Sequence, residues 1–138
     1  MREEEFIGQV QARAGFGSRG PAESATRATL ETLAERVQSP QAENLAAQLP
    51  REIGEHLRRV VYAPDEPVTG ARMSTQEFFD RVAGRAGLDP PKAAHAARCV
   101  VEVMGEATQG NIVEKIKGSL DDDLSGVLFA GSTGKAGP

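Results

Sequence analysis

Residues Glu3 to Phe16, EEEFIGQVQARAGF, come back in altered form as Thr75 to Leu88, TQEFFDRVAGRAGL. Sliding the chain on itself by 72 positions lays Glu5, Phe6, Val10, Arg13, Ala14 and Gly15 on Glu77, Phe78, Val82, Arg85, Ala86 and Gly87. After Phe16 and Leu88 the shift becomes 71, one residue having been lost in a loop. It then pairs Arg27 with Arg98, Glu31 with Glu102 and Glu35 with Glu106, and matches the apolar positions Leu33, Leu45, Leu49, Ile53 and Leu57 to Met104, Ile116, Leu120, Leu124 and Leu128. One change of offset over so long a span reads as a tandem duplication. Like segments adopt like local structure, so the chain should present two similar apolar faces. A core is affordable in 138 residues only if most of the chain contributes, so the halves should pack together.

The spacing within each copy is helical. Phe6, Val10 and Ala14 fall at i, i+4 and i+8, Leu30, Leu33 and Val37 at i, i+3 and i+7, and Leu45, Leu49, Ile53, Leu57 and Val60 continue a stripe. Gly15 and Gly87 suit left-handed helix ends. Ser39-Pro40 and Asp89-Pro90 read as an N-cap followed by proline at the first helical position, and Ser74 with Glu77 forms a capping box. Pro50 breaks the third stripe and reads as the first residue of a fourth helix. Its counterpart is Asp121 in the run DDDL, a solvated helix start whose spacing lacks the alternating ligands of a calcium loop. The expected fold is all-α, a tandem duplication of a roughly four-helix unit. Residues 1–62 form the first repeat, 63–73 a Pro- and Gly-rich linker, 74–129 the second repeat and 130–138 a disordered tail. Two copies are too few for an open solenoid, so they are expected to pack as a bundle about a pseudo-twofold axis.

The stretches ATRATLETLAERV (Ala25 to Val37) and AENLAAQLP (Ala42 to Pro50), with the EFxxxVxxRAG openings of both copies, resemble the bacterial family catalogued as domain of unknown function 2267. The resemblance spans nearly the whole chain apart from linker and tail. It implies an all-helical, often duplicated bacterial module linked to stress physiology, and brings no activity or catalytic residues with it. The second half departs from the pattern, with KGSLDDDL where AQLPREI stood.

Charge and composition narrow the function classes. With 20 acidic against 16 basic residues, a net charge of −4, no Trp and no basic stripe, a nucleic-acid partner is not expected. No apolar run approaches a bilayer span, the acidic start MREEEF lacks the apolar region of a secretory signal, and the single Cys99 suits a reducing compartment, so a cytoplasmic location is expected. Neither GxxxxGK[ST] nor GxSxG occurs. His95 and Cys99 stand at i, i+4, but a zinc site needs three or four ligands and the only other histidine, His56, lies in the other copy. Cys99 therefore reads as a small buried hydrophobe, and no catalytic residue, metal or cofactor is expected.

The repeated positions that are not apolar say more. Arg27 with Glu31 and Glu35, matched by Arg98 with Glu102 and Glu106, set a cation and two carboxylates at four-residue steps on one helical face. Arg27, Glu31, Arg98 and Glu102 are thus the candidate interface residues, either setting the register between the repeats or meeting a partner. The function expected is a non-enzymatic protein-interaction or self-associating module. The alternative is a small-molecule or metal sensor with its site between the repeats, for which Thr29, Thr32, Thr108 and Cys99 are the available polar groups.

Overall fold

Local capping chemistry cuts the chain into eight helices: α1 (Glu3–Ala14), α2 (Arg19–Arg36), α3 (Ser39–Gln48), α4 (Arg51–Val61), α5 (Thr75–Ala86), α6 (Pro90–Ala107), α7 (Ile112–Gly118) and α8 (Asp122–Leu128). They come from a computed structural model that describes residues 1–63 and 69–132, among which there is no strand. The chain is all-α. α5 starts and ends at the 72-residue shift from α1, and α6 at the 71-residue shift from α2.

Gly15 (φ 75°) and Gly87 (φ 69°) end α1 and α5 in the left-handed region, which a side chain rarely adopts. That turn lets Phe16 N donate to Gln11 O at 3.0 Å, and Leu88 N to Ala83 O at 3.1 Å, closing each helix with a Schellman bond. Phe16 and Leu88 then rest on the core. Ser74 Oγ accepts from Glu77 N while Glu77 Oε1 accepts from Ser74 N, and Asp89 Oδ1 accepts from Lys92 N. Two expected boundaries shift by one position. Ser39 is the first helical residue rather than the cap, its hydroxyl 3.4 Å from Thr69 Oγ1, and Pro50 is the cap of α4 rather than its first residue. In both places a backbone already extended before the helix supplies the start without a side-chain cap.

Packing follows the apolar stripes and is reciprocal between the halves. α1 packs on α2 and α5 on α6, while across the middle α1 packs on α6 and α5 on α2. The two 18-residue helices, α2 and α6, also touch each other at the centre. Phe6, Leu30, Leu33 and Leu57 of the first half join Phe78, Val100, Met104 and Leu128 of the second in one continuous buried cluster, so neither half has a core of its own. Beyond these four helices the halves diverge. α3 and α4 run 10 and 11 residues and pack closely, whereas α7 and α8 run seven each, and α7 buries only Ile116.

The expected linker includes residues 64–68, which lie outside the described residues. Its end runs along the first half, with Gly70 N bonded to Val37 O and Ala71 N to Glu35 O, both at 2.8 Å. Met73 is buried. The tail, expected to be disordered from 130, is placed as far as Ser132, whose backbone and hydroxyl both donate to Glu102. Residues 133–138 lie outside the described residues.

Candidate functional site: the charged seam between the halves

The last turn of α1 carries Arg13 and the last turn of α5 carries Arg85, each facing the long helix of the other half. Residues three or four apart on a helix share a face, so α6 presents Glu102 and Glu106 together, and α2 presents Glu31 and Glu35. Arg13 Nη1 lies 2.7 Å from Glu102 Oε1, and its two terminal nitrogens reach both oxygens of Glu106 at 2.7 and 2.9 Å. Arg85 Nη2 lies 2.6 Å from Glu35 Oε2, its Nη1 donates to Thr32 Oγ1 at 2.8 Å, and its Nε stands 3.9 Å from Glu31. Each arginine thus clamps the other half's carboxylate pair, with bidentate geometry at Glu106 that suits the planar guanidinium.

The clamps move protonation equilibria as their geometry requires. The hydrogen bond to Glu106 holds the Arg13 guanidinium above its ordinary value, against burial that lowers it. Burial alone would raise the Glu102 carboxyl, but bonds from Ser132 and Arg13 outweigh it and leave it below the ordinary carboxylate range.

The four expected interface residues fall in unlike places. Glu31 and Glu102 both lie in clamps. Arg27 pairs with Glu31 at 3.3 Å and donates to the carbonyl of Arg85 at 3.0 Å, so it joins α2 to the end of α5. Arg98, its counterpart, is 6% exposed, and its Nε has no hydrogen-bond partner. The carbonyl equivalent to that of Arg85 is Arg13 O, and it is taken by His95 Nε2 at 3.3 Å. The two Arg-Glu-Glu sets therefore do not meet each other. Arg13 and Arg85, which the sequence only paired as equivalent positions of the repeat, are what link each set to the opposite half. Their recurrence at equivalent positions was a usable signal, but its meaning depended on knowing that α1 lies on α6.

The remaining chemistry is sparse. Cys99 is fully buried, its thiol pushed up to about 11 by burial and then by Glu102, and its sulfur lies 3.8 Å from His95 Nε2. Such a thiol is a poor nucleophile and a poor ligand. His56 stands apart on α4, in a groove of about 410 Å³ with Ile7, Ser24, Arg27 and Ile53. Burial, then Arg59 and Arg27, push His56 down to about 4, so it is neutral across the physiological range. Among the described residues no group of three or more His, Cys, Asp or Glu is gathered to hold a metal, and no helix is long and apolar enough to cross a membrane. Thr26, Thr29 and Thr32 are buried along α2. Thr26 and Thr32 donate back to Ala22 O and Ala28 O, while Thr29 Oγ1 has no partner.

An all-helical chain with this order of caps is matched from residue 3 to residue 127 by the model of a family described as an uncharacterized conserved protein, DUF2267. The chain belongs to that family. A comparison with curated proteins found no match for this DUF2267 chain. Its outer surface differs between the halves. At the C-terminal cap of α4, Tyr62 is 65% exposed beside Glu55, Arg58 and Arg59 around a groove of about 460 Å³, and its hydroxyl donates to Glu43. The equivalent helix α8 instead opens with the exposed carboxylates Asp121, Asp122 and Asp123.

Proposed function

We propose that this DUF2267 chain is a non-enzymatic module that self-associates, the outer face of α4 meeting the acidic start of α8 on a second copy. The observation that carries the reading is Tyr62, the most exposed large apolar side chain among the described residues, set at the C-terminal cap of an arginine-bearing helix. Tyrosine and arginine are the side chains most enriched where interfaces concentrate their energy. The seam supports the same view by elimination, since Arg13, Arg85 and the four glutamates they clamp already have partners within the chain. By contrast Arg51 on α4 and Asp122 and Asp123 on α8 form no ion pair among the described residues, and complementary charge favours docking one face on the other.

Sedimentation velocity at low and at high salt tests this. The chain should associate at low salt and dissociate as salt screens the charges. Arg51→Glu combined with Arg59→Glu should abolish association, and that variant mixed with Asp122→Arg/Asp123→Arg should recover it. A chain that stays monomeric at every concentration and salt overturns the reading.

A second reading, a small-molecule sensor, is favoured by one feature. Between α1 and α6 a pocket of about 300 Å³ is lined by Phe16, Pro91, Lys92 and His95, drawing on both halves. A bound non-protein mass in native mass spectrometry of the purified chain would support it.

A further inference from the structure

Among the described residues Arg98 is the only charged residue that is buried. It takes part in none of the ion pairs or side-chain hydrogen bonds among the described residues, and its buried Nε has no partner there. A buried guanidinium nitrogen left without a partner is costly, and such groups ordinarily find one. Arg27, at the equivalent step of α2, has both a carboxylate and a carbonyl. The groups that would serve Arg98 in the same way are spent elsewhere. Glu102 is engaged by Arg13 and Ser132, and Arg13 O by His95.

Arg98 lines a cavity of about 130 Å³ between α6, the end of α8 and the segment that follows it, with Val101, Glu102, Phe129 and Gly131. Gly131 closes this wall at φ 87°, a conformation that side chains rarely adopt, and a Cβ there would stand 3.0 Å from Glu102 Oε2, tighter than an ordinary contact. We propose that this cavity binds a small monocarboxylate, its oxygens on the Arg98 guanidinium and its short apolar body on Val101 and Phe129. The charge of the site asks for an anion, and the planar guanidinium matches a carboxylate fork. The volume sets the size, because an apolar cavity of about 150 Å³ holds a molecule as large as benzene. Glu102 on the rim selects a monoanion: its charge is balanced by Arg13, and a dianion would bring a second, unbalanced one beside it.

The inference is independent of the α4 surface and is tested on the full chain with sodium butyrate, at ionic strength matched with sodium chloride. Amide resonances of Val101, Phe129 and Gly131 should shift saturably with butyrate, and butyrate should raise the melting temperature. Arg98→Met should lose both responses and, without ligand, should melt higher than the parent chain because a buried guanidinium with an unpartnered nitrogen has been removed. Val101→Phe, which fills the cavity and keeps the arginine, should also lose the saturable shift. Shifts that do not saturate, or that chloride reproduces, overturn the proposal. So does an Arg98→Met chain that melts lower or fails to fold, since Arg98 would then already have its partner within the chain. Tighter binding of inorganic phosphate than of butyrate overturns the monocarboxylate class.

Discussion

Arg85 closes on Glu35 and Glu31, whose side chains are 14% and 18% exposed, whereas Arg13 closes on Glu102 and Glu106, at 27% and 49%. Both clamps come from the same three positions of a repeated pattern, yet one lies deeper. The first half packs the 11-residue α4 against α2, and Arg59 of α4 adds a further contact to Glu31 at 3.6 Å. The second half supplies shorter α7 and α8, and Glu102 is screened instead by Ser132. Equivalent ion pairs should therefore be worth different amounts in the two places, because desolvation and screening depend on the surrounding helices as well as on the pair.

The sharpest way to break the comparison is through the core beneath those helices. Leu57 and Leu128 are equivalent and both buried, at 1% and 0% exposure. Leu57→Ala should cost about 3 kcal/mol, and Leu128→Ala about 1 to 2 kcal/mol, because a seven-residue helix near the chain's end can settle into the cavity. Urea unfolding of the two variants measures both, and equal losses would mean that α8 is as firmly held as α4.

The clamps come next. Arg85→Ala takes the nearest cation from Glu35 and a donor from Thr32, leaving Arg81 on Glu35 and Arg27 and Arg59 on Glu31, and should lower stability by about 1.5 kcal/mol, against about 1 kcal/mol for Arg13→Ala, whose partners are more exposed. Thermal unfolding of the two single variants would show the reverse order if burial of the partners were not the controlling factor.

A pH difference between the halves follows from His56, which has Val127 at the equivalent position of α8. Its folded pKa of about 4 lies below the ordinary 6.5, so the unfolded chain binds the proton first as pH falls. Stability should be fully present above about pH 6.5 and decline between there and about pH 4, by on the order of 1 kcal/mol once solvent screening is allowed for. His56→Gln should flatten that slope between about pH 6.5 and pH 5 in urea midpoints, before the carboxylates titrate. The lowered Glu102 carboxyl acts in the same direction, its contribution being lost only at more acid pH.

The smallest effect is expected at the most exposed member of the seam. Glu106→Gln should cost no more than about 0.5 kcal/mol and should become silent at high salt. A larger or salt-insensitive loss would place the Arg13 clamp on a par with that of Arg85.

Much of this architecture could be read before any coordinates. Helix ends at Gly15 and Gly87, the capping box at Ser74 and the cap at Asp89 are set by residues within four positions of one another, and backbone chemistry at that range does not wait for the rest of the chain. The errors were equally local in kind, one-residue shifts at Ser39 and Pro50 where no side chain caps the helix. The candidate site was half legible. Arg27, Glu31, Arg98 and Glu102 stood out as repeated polar positions, but their partners are set by which helix lies on which, and Arg13 and Arg85 reach them across 50 to 93 positions of sequence.

What the sequence determined by itself is therefore the helices, their apolar faces and the likeness of the α1–α2 pair to the α5–α6 pair, since all of these follow from spacing and capping at short range. Only the tertiary structure decided that α1 crosses to α6 and α5 to α2, that each terminal arginine serves the opposite half, and that Arg27 finds partners while Arg98 is buried with its Nε unpartnered among the described residues. Those outcomes rest on desolvation and on competition for a few carbonyls and carboxylates, and such competition has no winner until every claimant is in place.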